Sequence, residues 1–144
     1  MTNSAPMSPA DVARTFFELY NARDVPSMVQ LFEPQGTVEY VPFNMSGPVE
    51  EVGPGSWGVL IDSFPDLNNK VHSIREDEDH AFADVDIRGT QEKEAFGVPS
   101  QGKPYDVRHF FIFEIGSGGK IKHLTAFWDN ASWYSQLGMT TLPN

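Results

Sequence analysis

Four strand-like runs fill the second half of the chain with hardly a break: KVHSIRED, HAFADVDIRGTQ, PYDVRHFFIFEI and KIKHLTAFWD, divided by the turn segments EDED, GVPSQGK and GSGG. Each run is rich in β-branched and aromatic residues and is bounded by Gly, Pro, Ser or Asp, the pattern of hairpin-linked antiparallel strands. Glu76 to Asp79 reads as a solvated hairpin tip. Such a sheet must cover one apolar face, and the cover has to come from the first half of the chain.

That half supplies helices. Ser8 suits a cap, Pro9 the first helical position and Asp11 the acid of a capping box. Val12, Phe16, Leu19 and Tyr20 then form an apolar stripe. A second, shorter helix is signalled by Asp24 as cap and Pro26 in the first turn, with Val25, Met28, Val29 and Phe32 inward and EPQG as its end. TVEYVPF reads as a strand that Pro42 ends or bends. A further helix is expected near Ser56 to Phe64, where Trp57, Leu60, Ile61 and Phe64 share a face, while Gly53, Pro54 and Gly55 are expected to break anything longer. The Gly- and Pro-rich stretch from Asn44 to Ser56 is expected to be a loop able to close over a pocket. Helices followed by antiparallel strands describe an α+β domain with its helices on one side of a curved sheet. A length of 144 residues suits one core, so residues 1–144 are read as a single domain.

Charge and composition remove several function classes. Twenty acidic against ten basic side chains give a net charge of -10, which repels nucleic acid and anionic membranes. With no cysteine there is no disulfide, thiolate metal site or cysteine nucleophile, which fits a cytoplasmic protein. The N-terminal stretch has neither a basic start nor an apolar leader, and no run approaches the roughly 18 apolar residues of a membrane span, so a soluble, unprocessed chain is expected. Histidines at 72, 80, 109 and 123 are scattered, and GSGGK lies between strands, so neither a metal nor a phosphate-bearing cofactor is expected.

The site argument comes from strand alternation. Val107, His109, Phe111, Phe113 and Ile115 share one face, which puts a histidine in an otherwise apolar row. On the last strand an unbroken alternation groups Ile121, His123, Thr125, Phe127 and Asp129 against Lys122, Leu124, Ala126 and Trp128, unless a bulge shifts the register. A polar group in an apolar wall costs about 1–3 kcal/mol unless it is bonded, so such a set points to a ligand site. His109 and Asp129 are the candidate proton-transfer pair, with His123 and Tyr40 orienting or polarising a carbonyl. Phe16, Trp57, Phe111, Thr125 and Phe127 are the candidate substrate contacts, a choice that 18 aromatic residues make natural. The competing reading makes each histidine a satisfied core residue, Trp57 helix-to-sheet packing and Trp128 structural.

The segments FPDL, RGT, FGVPSQGKPYDVRHFFIF, GGKIKHLTAFWD and QLG, in this order, resemble the SnoaL-like polyketide cyclases of the nuclear transport factor 2-like superfamily. The resemblance covers nearly the whole chain and is strongest at Gly97 to Lys103 and the strand after it. It implies a cone-shaped α+β barrel, a strongly curved antiparallel sheet wrapped around the N-terminal helices with an apolar pocket. It also implies a homodimer through the outer sheet face, for which Phe110, Ile112 and Leu124 are candidates. Thr125 stands where the cyclases carry their acid/base carboxylate, two residues after the histidine of GKI-x-x-H. Ketosteroid isomerases would need an aspartate where Tyr40 stands and a hydroxyl near Phe16. An epoxide hydrolase would have to use Asp84, Asp86 and Arg88, whose strand face is expected to be the exposed or dimer side. The expected function is thus a cofactor-independent acid–base enzyme acting on an apolar carbonyl compound: a cyclase, isomerase or dehydratase. A non-catalytic small-molecule binding protein and an epoxide hydrolase are the alternatives.

Overall fold

Ser8 and Asp11 form the reciprocal cap expected of them: Ser8 Oγ accepts from the Asp11 N–H, and the Asp11 carboxylate accepts from the Ser8 N–H. Helix α1 (Pro9–Asn21) follows and buries Val12, Ala13, Phe16, Phe17 and Tyr20, two i,i+4 rows side by side. The computed structural model describes residues 7–141; the ends of the 1–144 unit and the first residues of the stretch read as leaderless lie outside them. Asp24 caps α2 (Val25–Gln30). Strand β1 (Phe32–Tyr40) then begins earlier than expected, with EPQG inside its irregular first half rather than at a helix end. Pro42 ends it in a 3-10 turn, Val41–Phe43.

The Asn44 to Ser56 segment is not the expected loop. It forms β2 (Met45–Pro48) and then α3 (Val49–Gly53), which runs through a π turn (Pro54–Gly58) into α4 (Val59–Ser63). Gly53, Pro54 and Gly55 therefore widen the helix instead of breaking it. A proline inside a regular helix lacks the N–H and crowds the carbonyl four residues back, and the wider turn gives its ring room. Gly53 matters for a second reason: a Cβ there would lie 2.8 Å from Trp57 Cζ3, so only glycine lets the indole fold against the helix and into the interior.

Among the described residues, β3 (Asn68–Asp77), β4 (His80–Thr90), β5 (Pro104–Ile115) and β6 (Ile121–Trp128) complete a six-stranded sheet in the order β2-β1-β6-β5-β4-β3. It is antiparallel except where β6 runs parallel to β1. α1 packs across β3, β4 and β5, and α5 (Asn130–Gln136) follows the last strand. The architecture is the α+β cone, a curved sheet around helices.

One irregularity fixes the inner face. Glu114 pairs with His123 and Ile115 with Ile121, so Lys122 is an extra residue in β6. Ile121 stays inward, Lys122 and His123 both turn outward, and Leu124 and Ala126 become fully buried. The alternation expected for β6 is thereby inverted beyond the bulge. The apolar set Ile121, Leu124 and Ala126 can reach the core together only in this way. Leu124, expected on the outer face, belongs to the core; outside stand Phe82, Phe110, Ile112 and Phe127.

Gly53→Ala should displace Trp57 and lower stability by about 1–3 kcal/mol, the usual cost of overpacking. Gly55→Ala, whose Cβ would meet nothing, should hold or raise stability. Urea midpoints of the two variants check this, and equal midpoints would show that Gly53 is not a packing requirement.

Candidate functional site

A cavity of about 30 Å³ lies between the α3–α4 helix and the inner face of β5 and β6, with Tyr20, Tyr40, Trp57, Tyr105, His109 and Trp128 in its wall. That is room for roughly two water molecules.

His109 enters the wall through the alternation of β5 and is 8% exposed. Its ring lies nearly parallel to Phe111 on one side and Trp128 on the other, with centroids 6.0 and 5.1 Å away. Trp128 sits there because the Lys122 bulge makes it the cross-strand neighbour of His109. Nδ1–H donates to the Val107 carbonyl at 2.8 Å, which fixes the tautomer and leaves Nε2 as a bare lone pair. Among the described residues Nε2 has no protein partner, and it is not sealed from the space around it. Burial holds the imidazole pKa down to about 4, against smaller opposing pulls from the Val107 carbonyl and Asp86. At neutral pH the ring is uncharged.

Tyr40 comes inward at the end of β1. Ser56 Oγ has one proton, which it donates to the Val52 carbonyl at 2.5 Å, so the 2.8 Å contact between Tyr40 and Ser56 is a donation from the phenol. Tyr20 from α1 and Tyr105 from β5 complete a group of three buried phenols, all raised above the ordinary tyrosine pKa by burial. All three remain protonated at any working pH. Tyr20 and Tyr105 were not among the expected site residues, although the signal was present: Tyr20 closes the α1 stripe, and Tyr105 is the next inward position before Val107.

Several expected residues lie elsewhere. Asp129 is exposed, and its Oδ1 accepts from the Ser132 N–H at 3.0 Å as the N-cap of α5, so the expected pair with His109 does not form. His123 faces outward, with Nδ1 2.6 Å from Thr37 Oγ1 and Nε2 3.5 Å from Glu39. Thr125 and Phe127 share that outer side because of the bulge. Phe16 is fully buried behind Trp57 and Phe111, supporting the wall without lining it. Trp57, Phe111 and Tyr40 do line the cavity. Asp84 and Asp86 are on the outer face, joined to Arg108 and His72, and Arg88 is exposed.

Phe43, Phe96 and Trp133 add a second group of rings to the cavity wall, and of the Asn44 to Ser56 segment Ser56 lines it. Phe43 lies 5.0 Å from Phe96 and 5.8 Å from Trp133. Phe96 and Gly97 form the tip of a tight turn bridged by Ala95 and Val98, both with positive φ, 52° and 80°. Gln91 is buried beneath it and donates to the Lys93 and Val98 carbonyls.

The sequence matches the SnoaL-like polyketide cyclase family over residues 10–137. The chain belongs to this family. No curated protein matches the sequence. Among solved structures it is similar to wild-type IdmH from Streptomyces antibioticus, a candidate polyketide cyclase. The two share 23% identity with a TM-score of 0.78, over 92% of this chain and 100% of that one. A candidate SnoaL-like polyketide cyclase from Jannaschia sp. CCS1 is 16% identical with a TM-score of 0.82, over 98% and 100%. The epoxide hydrolase/cyclase-like enzyme SalBIII, of pyran ring formation in polyether salinomycin, is 14% identical with a TM-score of 0.70, over 84% and 90%. These likenesses carry the fold. In this SnoaL-like protein the cavity wall contains no carboxylate among the described residues. Nor, among them, is there a group of three potential metal ligands, or a helix long and apolar enough to cross a membrane.

The state of His109 has a measurable consequence. Its pKa is 6.5 when unperturbed and about 4 in the fold. Between these values the unfolded chain binds more protons, so its contribution is complete above pH 6.5 and is lost as pH falls through 4, roughly 3 kcal/mol in all. His109→Phe should flatten unfolding free energy against pH across that window; an unchanged slope would show that His109 titrates normally.

Proposed function

We propose that this chain is a cofactor-independent acid–base enzyme acting on an apolar carbonyl compound, in a cyclisation, isomerisation or dehydration of the polyketide type, with His109 as the proton acceptor. The observation that carries this reading is the bare Nε2 lone pair of a neutral imidazole in a ring-lined cavity. In the first step the C–H bond beside the carbonyl breaks, the proton goes to Nε2 and the electron pair moves onto the carbonyl oxygen as an enolate. A buried imidazole is a weak base on its own, but the enolate it creates is an opposite charge beside it and offsets the burial penalty. The same weakness favours a carbon already acidified, such as one between two carbonyls. The enolate carbon then attacks a second carbonyl, is reprotonated elsewhere or expels a hydroxyl, and the imidazolium returns its proton.

A cavity of about 30 Å³ holds no such substrate until its aromatic closure moves, so Phe43 and Phe96 act as the gate. The binding-protein alternative is favoured by Asp129, which is exposed and engaged as a helix cap. The epoxide-hydrolase alternative has its carboxylates on the outside of the sheet.

We also propose a homodimer through the outer face. Phe82 stacks on Phe110 at 6.3 Å, Phe110 pairs across the strands with Phe127, and the last two are 43% and 37% exposed. Light scattering should give twice the chain mass, and Phe110→Glu should halve it; a monomeric wild type would remove this proposal.

Exchange of α-protons for deuterium in a panel of bicyclic and tricyclic ketones tests the reaction. Wild type should exceed the buffer rate, His109→Gln should lose about 10²–10⁴-fold, and Asp129→Asn, which keeps a good N-cap, should stay close to wild type. Phe96→Asn, whose side chain tolerates positive φ and leaves the gate, should bind ligand faster. Ligand retained with no exchange in any variant would make this a binding module.

A further inference from the structure

We infer that Tyr20 and Tyr105, and not Tyr40, are the hydroxyls that hold the substrate's carbonyl oxygen. The inference rests on the acid–base reading of the cavity and deepens it.

The argument is a census of protons. The chain has four tyrosines and three of them line the cavity. Tyr40 gives its proton to Ser56, whose own proton goes to the Val52 carbonyl, so this phenol is at the head of a closed relay. Turning it toward a ligand would leave Ser56 buried and short of a donor, which costs about 1–3 kcal/mol. Tyr20 and Tyr105 are in the opposite condition. Among the described residues neither hydroxyl has an acceptor for its proton, yet neither oxygen is sealed in protein.

Their placement suits one task. Tyr20 stands on α1 and Tyr105 on β5, both 3% exposed, so the donors are fixed by two rigid elements. Both line the same cavity, so a ligand admitted there meets the two hydroxyls. Tyr105 and His109 share the inner face of one strand and both side chains line the same cavity. A carbonyl compound lying along that face presents its oxygen to the phenols and its acidic C–H to Nε2. As the C–H bond breaks and charge moves onto oxygen, the two hydrogen bonds strengthen. Such donors each contribute about 10²–10³-fold in rate.

The test uses 2-tetralone labelled with ¹³C at the carbonyl and the single variants Tyr20→Phe, Tyr105→Phe, Tyr40→Phe and Tyr134→Phe. Tyr134 lies on α5 outside the cavity wall and controls for loss of a buried phenol. Two readouts are taken: α-deuterium exchange, and the displacement of the carbonyl ¹³C resonance on binding, which reports hydrogen bonds to oxygen without turnover. The expected result is a downfield displacement in wild type that shrinks in Tyr20→Phe and in Tyr105→Phe, each with about 10²-fold slower exchange, and no change in Tyr134→Phe. If Tyr40→Phe alone abolishes the displacement and the exchange, the inference is overturned while the role of His109 stands. If the displacement depends on Tyr20 and Tyr105 but wild type exchanges nothing, the donor assignment stands and the catalytic reading fails. A wild type that shows no displacement overturns the inference outright.

Discussion

The extra residue at Lys122 decides what the cavity is made of. A strand that alternated without interruption would turn Leu124, Ala126 and Trp128 to solvent and line the interior with His123, Thr125 and Phe127. With Lys122 looped out, the apolar set is buried, Trp128 arrives opposite His109, and the chain leaves β6 at a point where Asp129 caps α5. The ring stack beside His109, the lack of a carboxylate inside and the outward place of Phe127 all follow from one residue of register. The driving force is burial: moving two fully buried side chains and most of an indole to water would cost several kcal/mol at roughly 25 cal/mol per Å².

Burial also sets the protonation of the site. The same desolvation keeps His109 neutral and keeps Tyr20, Tyr40 and Tyr105 protonated, because in each case the charged form is the one excluded from the apolar interior. A base without a proton and acids that keep theirs are what the proposed enolate chemistry requires, and the cavity wall supplies both without a carboxylate. What distinguishes the phenols from one another is local hydrogen bonding. The π turn at Pro54–Gly58 carries Ser56 to Tyr40 and so withdraws that phenol from the ligand.

Much of this was legible from the residues because it depends on strong local signals. The Ser8–Asp11 cap, the α1 stripe, the four late strands and the inward row of β5 each rest on a period or a cap that several residues repeat. The β6 register rests on a single inserted residue, and composition does not change when a bulge appears. The clue is that Ile121 cannot share a face at period two with Leu124, Ala126 and Trp128, the larger apolar set of the strand. Gly53-Pro54-Gly55 misled for a related reason: residues that break an α-helix are compatible with a wider turn, and what selects it is the tertiary position of Trp57. Asp129 suits a proton-transfer pair with His109 by residue type, but a carboxylate three residues before an available backbone N–H is equally a helix cap, and its position past the end of the strand favours the cap.

On the proposed reading, the wall that yields to a ligand is the one carrying Phe43 and Phe96. A phenylalanine with left-handed backbone costs about 1–2 kcal/mol, and Phe96 recovers a similar amount from its ring contacts with Phe43 and Trp133 at about 0.5–1.5 kcal/mol each. The ring contacts offset the backbone strain of Phe96, and the turn itself is held by the paired backbone bonds of Ala95 and Val98 and by Gln91. Phe111, in the wall, and Phe16, Phe17 and Phe113 behind it are at most 2% exposed, have no positive φ and pack on one another. A ligand that offers Phe43 and Trp133 an apolar surface of its own replaces what Phe96 gave them and releases the strain as well. On the proposed reading, opening on that side suits a flat, apolar molecule, whose far edge would be directed at the phenols and His109.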